Sequence, residues 1–474
     1  MNDTGYVRIT EITLENFKNV KYGKVSLENA SESTLSILGI YGQNGSGKTA
    51  LIDALGILSR IFQGQAVQLN SSDFINVEAD YAKLAFTFKV YRNDAVWNAT
   101  YEFKLGKREL EEHEVNYSDG RNIEYVARIY DEKLKCGYED SLNDLRLAYV
   151  MNTENFKVFG PDAKFKLMTG NDKDKEVPLL FEKMNALNGS RSFIFSGKTF
   201  ELLFSEHKMD AVEEFAIYKQ LLCRLRHYGK YELFVIDTRC SGMISLNALP
   251  LTVKYHKDDD YLFGRLLLSM DKVAEFESRM MPIVHNVLDN LNIVLSEIIP
   301  GLTISIKDYG KNTDKNNVEV NRFELMSIRE GHVIPLRYES EGIKKIISIL
   351  QLLIVAYNTP AITVAVDELD SGIFEYLLGE LLRIMSEEAE GQLIFTSHNL
   401  RPLEIIDKSF LIFSTANPMN RYIRMENVQE NNNLRNVYFR DIQMNYQKEV
   451  IYRKTSNTRI TSAFIDAGED YDFE

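Results

Sequence analysis

The sequence predicts an α/β fold: a mixed sheet that receives a glycine-rich phosphate loop, an antiparallel β subdomain beside it, and a mainly helical insertion splitting the two halves. Three observations carry this. A short apolar strand, Ser36-Ile-Leu-Gly-Ile-Tyr41, runs into Gly42-Gln-Asn-Gly-Ser-Gly-Lys48-Thr49. Two more apolar, strand-like runs, from Ala361 and from Leu393, end in Asp367-Glu368 and Ser397-His398. Between the halves lies a long stretch with apolar residues mostly at helical spacing.

In chain order, Tyr6-Val-Arg-Ile-Thr-Glu-Ile-Thr-Leu-Glu alternates at period two and reads as a strand. After the glycine loop, Leu51, Ile52, Leu55 and Leu58 recur at helical spacing. Leu84-Ala-Phe-Thr-Phe-Lys-Val and Trp97-Asn-Ala-Thr-Tyr-Glu-Phe alternate again, predicting antiparallel hairpins with Arg92-Asn-Asp as a turn. Residues 150 to 300 read as mostly helical, Leu262 to Ile299 being one such stretch, with Glu232-Leu-Phe-Val-Ile-Asp as a lone strand. No heptad pattern is sustained, so no long coiled coil is expected. From 300 to 440 strand and helix alternate, which predicts a parallel sheet. The expected units are an N-terminal half (1–150), a mainly helical insertion (151–290), a C-terminal half (291–440) and an extension (441–474) whose acidic end is solvated.

Composition narrows the function classes. A chain of 474 residues, 45% hydrophobic and 26% charged, is ordinary globular material. The polar start is not a signal peptide, and no apolar run reaches the ~18 residues of a membrane span. Cys136, Cys223 and Cys240 are scattered, as expected in a reducing cytoplasm. A formal net charge of −14 disfavours non-specific coating of nucleic acid, which depends on neutralising phosphates. Tyr218 to Lys230 is the best basic-aromatic stretch; it reads either as a DNA contact or as a solvated helix face.

Four motifs carry chemistry. In the first, glycines let the loop curl so that backbone N–H groups face phosphates, Lys48 reaches the outer phosphates, and the Thr49 hydroxyl can ligate Mg²⁺. In the second, an apolar run reads as a buried strand delivering two acids to its end, where Asp367 would hold Mg²⁺ and Glu368 would act as general base for water; a core strand ending in solvated acids is the plainer alternative. In the third, His398 ends a neighbouring strand, where a neutral imidazole can meet a phosphate or position water; a structural histidine is the plainer reading. In the fourth, Ser340 and Gly342 open a helix with Ile343, Ile346, Ile347 and Leu350 on one face, either as a plain cap or as a second anion-binding helix end.

Taken in order, these motifs resemble those of the ATP-binding-cassette ATPases, in which a Ser-x-Gly signature precedes the acidic strand. Ser340 lies 27 residues before Asp367 and His398 lies 30 after Glu368. The opening Ile12-Thr-Leu-Glu-Asn-Phe-Lys-Asn and the 319-residue gap from Lys48 to Asp367 resemble the RecF-like and SMC-like branch. Val333-Ile-Pro-Leu-Arg-Tyr-Glu-Ser-Glu-Gly-Ile-Lys-Lys and Asp367-Glu-Leu-Asp-Ser-Gly-Ile are most similar to the single-chain ATPases of bacterial phage-defence systems: the AbiL-type and Septu ATPases and relatives of the OLD (overcoming lysogenisation defect) family. The resemblance covers residues 1–130 and 280–420.

The resemblance implies an ATPase using ATP and Mg²⁺ in a head-to-tail dimer. Gly42, Asn44, Gly45, Ser46, Gly47, Lys48 and Thr49 of one copy would hold the nucleotide, closed over by Ser340 and Gly342 of a second. Asp370 would complete the site, Thr49 and Asp367 would hold the metal, and Glu368 and His398 would be catalytic. The implied role is a cytoplasmic sensor or scaffold controlling a separate effector, such as a nuclease; a RecF-like repair factor holding DNA is the alternative. The 76 residues after His398 leave little room for a fused Toprim nuclease, so none is expected here. The family's water-sensing glutamine has no match: Gln63, Gln65 and Gln68 come too soon, and the expected region carries Glu112 and Glu114. No aromatic stands out as a base-stacking residue, Tyr22 being one candidate, so specificity for adenine is what the resemblance implies.

Overall fold

The computed structural model describes residues 5–29, 34–109, 125–141, 144–205, 212–236, 248–257, 260–269, 272–313, 317–426, 433–444 and 446–469. The chain opens with the hairpin β1 (Tyr6–Phe17) and β2 (Val20–Ser26), then β3 (Ile37–Tyr41) and helix α1 (Lys48–Phe62). Strands β4 (Tyr81–Arg92), β5 (Ala95–Glu109), β6 (Tyr125–Glu139) and β7 (Asp144–Asn152) follow. With β1 and β2 they form a six-stranded antiparallel sheet, ordered β2-β1-β4-β5-β6-β7. The alternation in β4 and β5 buries one face, including Phe86, Phe88, Tyr101 and Phe103, and leaves the other partly exposed.

Helices α2 (Asp162–Thr169), α3 (Glu176–Asn188), α4 (Gly197–Phe204) and α5 (Glu213–His227) come next, and then β8 (Leu233–Ile236). β9 (Ala248–Lys257) pairs antiparallel with β10 (Asp260–Ser269). β11 (Ala274–Glu277), α6 (Met281–Ile298), β12 (Leu302–Thr313), β13 (Glu319–Arg329) and β14 (His332–Pro335) form a small antiparallel sheet with a helix on it. The C-terminal half then supplies α7 (Glu341–Tyr357), β15 (Thr363–Val366), α8 (Glu375–Glu388), β16 (Gln392–Thr396), β17 (Leu411–Ser414), β18 (Tyr422–Ile423), α9 (Leu434–Met444) and α10 (Asn457–Glu469).

The central sheet is ordered β18-β17-β3-β16-β15-β8 and is parallel except for β18. Its strands are apolar on both faces because both are covered. Leu38, Ile40, Ala365, Ile394 and Ile412 face a core shared with α1, α5 and the antiparallel sheet. Ile37, Tyr41, Val364, Val366, Leu393 and Phe395 face α7, α8 and α9. α7 is buried on two sides: Ile346 and Ile349 pack against the central sheet, Ile347 and Leu350 against the small sheet and α6.

One buried amide ties the two large sheets. The register of β1 against β4 slips between Ile9 and Glu11. Gln392 satisfies the backbone there: Ile9 N–H donates to its Oε1 at 2.9 Å, and its Nε2 donates to Ile9 O at 3.0 Å. A polar residue fully inside a core is tolerable only when paired this way.

The α/β class and the antiparallel hairpins match the sequence reading. Three points differ. Leu262 to Ile299 is not one helix: the chain is strand through Ser269 and again in β11, and helix begins only at Met281. The apolar run at 266–268 suits either period, and Pro282, which belongs in a helix's first turn, marks the true start. Among the described residues between 151 and 290, helices lie from Asp162 to His227 and again from Met281, and β8 pairs with β15 in the central sheet. Finally, residues 302–335 form an antiparallel sheet, so parallel pairing resumes only at β15.

A buried carboxylate joins the helical segment to the antiparallel sheet. Glu132 accepts from Tyr101 Oη at 2.7 Å, Phe193 N–H at 2.7 Å and the Ser192 hydroxyl, and burial raises its pKa. Glu132→Ala leaves three buried donors unmatched and is expected to cost about 2–4 kcal/mol. A urea unfolding midpoint unchanged from wild type would contradict this.

Candidate functional site

Pairing in the central sheet decides where the site lies. β16 is parallel to β3, with Thr396 beside Ile40, and β15 is parallel to β16, with Val366 beside Phe395. The ends of all three strands therefore reach one edge, the carboxyl edge where such sheets bind ligands. The glycine loop leaves β3 there, Asp367-Glu368 leaves β15 and Ser397-His398 leaves β16. Together they line a cavity of ≈ 450 Å³ whose walls include Asn44, Lys48, Thr49, Glu368, Asp370 and His398.

The loop has positions that only glycine occupies without strain. At Gly42 φ is 149°, and a Cβ would fall 2.0 Å from Ser414 Oγ; Gly45 and Gly47 also have positive φ. Its carbonyls are held by donors from distant segments. Tyr422 Oη donates to Gly47 O at 2.7 Å, and the Asn19 amide donates to Gly45 O. Gln43 pairs through its side-chain amide with the backbone of Arg453, whose N–H donates to Gln43 Oε1 at 3.1 Å. Lys48 is buried, and its Nζ donates to Gly42 O at 2.8 Å and Gln43 O at 3.1 Å. Burial lowers the Lys48 pKa, and Asp367, Glu368 and Asp370 oppose that shift.

The carboxylates are set by one hydroxyl. Asp367 is fully buried. Its Oδ1 accepts from Thr396 Oγ1 at 2.6 Å and from Thr49 Oγ1 at 3.4 Å, while Oδ2 is buried without a partner. Thr396 Oγ1 also accepts the Glu368 N–H at 2.7 Å. Glu368 itself has φ of 49°, a left-handed conformation costing a non-glycine residue about 1–3 kcal/mol, and its side chain is exposed to the cavity. Asp370 Oδ2 accepts the backbone N–H groups of His398 at 3.1 Å and Asn399 at 3.0 Å; its Oδ1 is another unmatched buried oxygen.

These donors fit Mg²⁺. The hydroxyl of Thr49 and the unmatched Asp367 oxygen are hard ligands. Among the described residues no group of three or more His, Cys, Asp or Glu could hold a metal.

Other candidates lie elsewhere. Ser340 is exposed and caps α7, its Oγ accepting from Ile343 N–H at 3.3 Å; neither it nor Gly342 lines the cavity. Tyr22, on β2, has its backbone bonded to Pro418 and Arg421 and is not a lining residue either. Gln63, Gln65 and Gln68 lie around a separate cavity at the far end of α1, about 20 Å from the loop by helix rise. Glu112 and Glu114 lie outside the described residues. The Tyr218 to Lys230 stretch is mainly core: Tyr218, Leu221, Leu222, Leu225 and Tyr228 are buried, and Arg224 is paired with Glu232 at 2.6 Å. Two further residues hold Glu368: Thr396 accepts its N–H and Lys345 donates to its carbonyl. Thr396 sits two residues before His398 in a motif already singled out, but a strand-end threonine carries no signal of which carboxylate it meets.

No family model matches this chain, and no curated protein matches it. Solved structures do. An SMC head domain from Thermotoga maritima is 14% identical, with 88% of this chain and 99% of that chain covered and a TM-score of 0.35. The Smc head domain with an extended coiled coil bound to the C-terminal domain of ScpA, derived from Pyrococcus furiosus, is 14% identical, with 88% and 96% covered and a TM-score of 0.40. The recombination mediator protein RecF with ATP is 14% identical, with 83% and 93% covered and a TM-score of 0.33.

His398 should be neutral at pH 7. Burial lowers its pKa from 6.5 and the nearby Lys48 lowers it further, while Asp370, Glu368 and Asp367 pull it back up. Titration of its ring protons by NMR should give a midpoint below 6.5, and Lys48→Met should move that midpoint upward. A wild-type midpoint above 6.5 would contradict the assignment.

Proposed function

We propose that this chain binds ATP with Mg²⁺ at the carboxyl edge of its central sheet, hydrolyses it, and uses it to close a head-to-tail pair of copies. The observation that carries this is the convergence of Lys48, Thr49, Asp367, Glu368 and His398 on one cavity, from segments 318 residues apart at Thr49 and Asp367. The glycine loop and the first turn of α1 cradle the β- and γ-phosphates. Lys48 exchanges its two loop carbonyls for phosphate oxygens. Thr49 and Asp367 hold Mg²⁺, which when bound neutralises charge growing on those oxygens. Glu368 takes the proton of the attacking water. Neutral His398 keeps that water or the γ-phosphate in place.

Ser340 and Gly342 fit the other half of a shared site. They begin α7, a helix N-terminus that favours anions, and they do not line this chain's own cavity. A second copy would bring them over the nucleotide. Beyond hydrolysis, we infer from the motif resemblance that the pair is the sensor or scaffold of a bacterial antiviral system acting through a separate effector protein. The RecF-like alternative, direct binding of DNA, has less support, because the basic-aromatic stretch on α5 is largely core. No described helix is long and apolar enough to cross a membrane.

Phosphate release from ATP by the purified chain, with and without Mg²⁺, tests the reading. Lys48→Ala should abolish nucleotide binding. Glu368→Gln should lower kcat by about 10²–10⁴-fold and, by light scattering, accumulate an ATP-dependent dimer. A Glu368→Gln protein that hydrolyses ATP like wild type would remove Glu368 as the base.

A further inference from the structure

We infer that Lys345 is a positioning residue for Glu368, and that it links the helix end at Ser340–Gly342 to the catalytic carboxylate of the same chain. The inference rests on the ATPase reading above and adds to it a route between the two halves of a shared site.

The Glu368 side chain reaches the cavity from a backbone that is left-handed, so its aim is set by whatever holds its main chain. Its N–H is held by Thr396 Oγ1 at 2.7 Å. Its carbonyl accepts the Ser371 N–H at 3.1 Å, one turn along its own loop, and Lys345 Nζ at 2.8 Å, from another element altogether. A bond from a buried ammonium to a carbonyl is charge-assisted and stronger than a neutral one. Lys345 is buried, on a helix packed on two sides, so its ammonium follows α7 rather than swinging freely.

A second contact joins the same two segments. Gly342 lies so close to Gly372 that a Cβ on it would stand 2.5 Å from Gly372 O. The first turn of α7 and the loop 368–372 therefore touch at two points, Gly342 with Gly372 and Lys345 with Glu368. In the proposed head-to-tail pair, the start of α7 meets the nucleotide on the partner's loop, whereas Glu368 serves the nucleotide on its own. A small movement of α7 as it closes on the partner's phosphates then reaches Glu368 through the Lys345 ammonium. Lys345 touches no reacting atom; it acts through the carboxylate it positions.

The test is a double-mutant cycle in the full-length chain, with turnover and the affinity of a non-hydrolysable ATP analogue measured in parallel. Lys345→Met should lower kcat by about tenfold or more while analogue affinity stays within about threefold, and Lys345→Arg should restore most of the rate. In the Glu368→Gln background, Lys345→Met should cause no further loss, because the residue it positions is gone. A purely structural lysine would instead lose affinity and rate together, or add its loss to that of Glu368→Gln; either pattern overturns the inference, as does a Lys345→Met protein with wild-type kcat. If the methionine variant does not fold by circular dichroism, Lys345→Gln, neutral but polar, is read by the same criteria. A wild-type chain that does not hydrolyse ATP refutes the functional reading itself; a wild-type chain that does, beside an unaffected Lys345→Met, refutes only the role of Lys345.

Discussion

The site depends on a carboxylate kept dry at the end of β15. Asp367 is fully buried, and one of its oxygens is shared between two hydroxyls, from the end of β16 and the start of α1. Thr396 has a single proton to give and spends it on Asp367, which leaves its oxygen free to receive the Glu368 N–H. Asp367 and Thr396 thereby tie together the start of α1 and the ends of β15 and β16. The remaining Asp367 oxygen is costly to bury unmatched, and nearby positive charge on Lys48 offsets part of that cost.

A second constraint is the collar around the glycine loop. A loop that curls its N–H groups toward an anion must turn carbonyls elsewhere, and buried carbonyls need donors. Here Tyr422 serves the buried Gly47 carbonyl and Asn19 the exposed Gly45 carbonyl, while the Gln43 side chain is held by the backbone of Arg453. Arg421 adds a brace, donating to Thr415 O at 2.6 Å and to Asn19 O. The C-terminal extension is thus part of the phosphate loop's support, and the two halves of the chain cannot be shaped independently. Gln392 does the same for the two large sheets, matching backbone groups exposed by the irregularity in β1.

Electrostatics at the site follow from this packing. Three carboxylates and Lys48 line the cavity, and the buried Lys345 also feels those carboxylates, so each lysine is pulled in opposite directions, burial lowering its pKa and the acids raising it. Burial and, after it, Lys48 oppose protonation of His398, against the pull of Asp370, Glu368 and Asp367.

The sequence by itself determined the chemistry-bearing points. The glycines of Gly42 to Thr49 mark a tight loop after a strand, and the short apolar runs before Asp367 and His398 read as strands, which they are. The alternation in β4 and β5 likewise needs only local periodicity to be read. What tertiary structure alone decided was pairing. β8 joins the central sheet, residues 302–335 pair antiparallel, and the Leu262 to Ile299 stretch divides into strand and helix, because short apolar segments have no local mark of which neighbour will cover them. Thr396 and Lys345 belong to the same class. A threonine and a lysine acquire a role only when folding sets them beside the backbone of Glu368, 28 and 23 residues away, and no spacing in the chain encodes that contact.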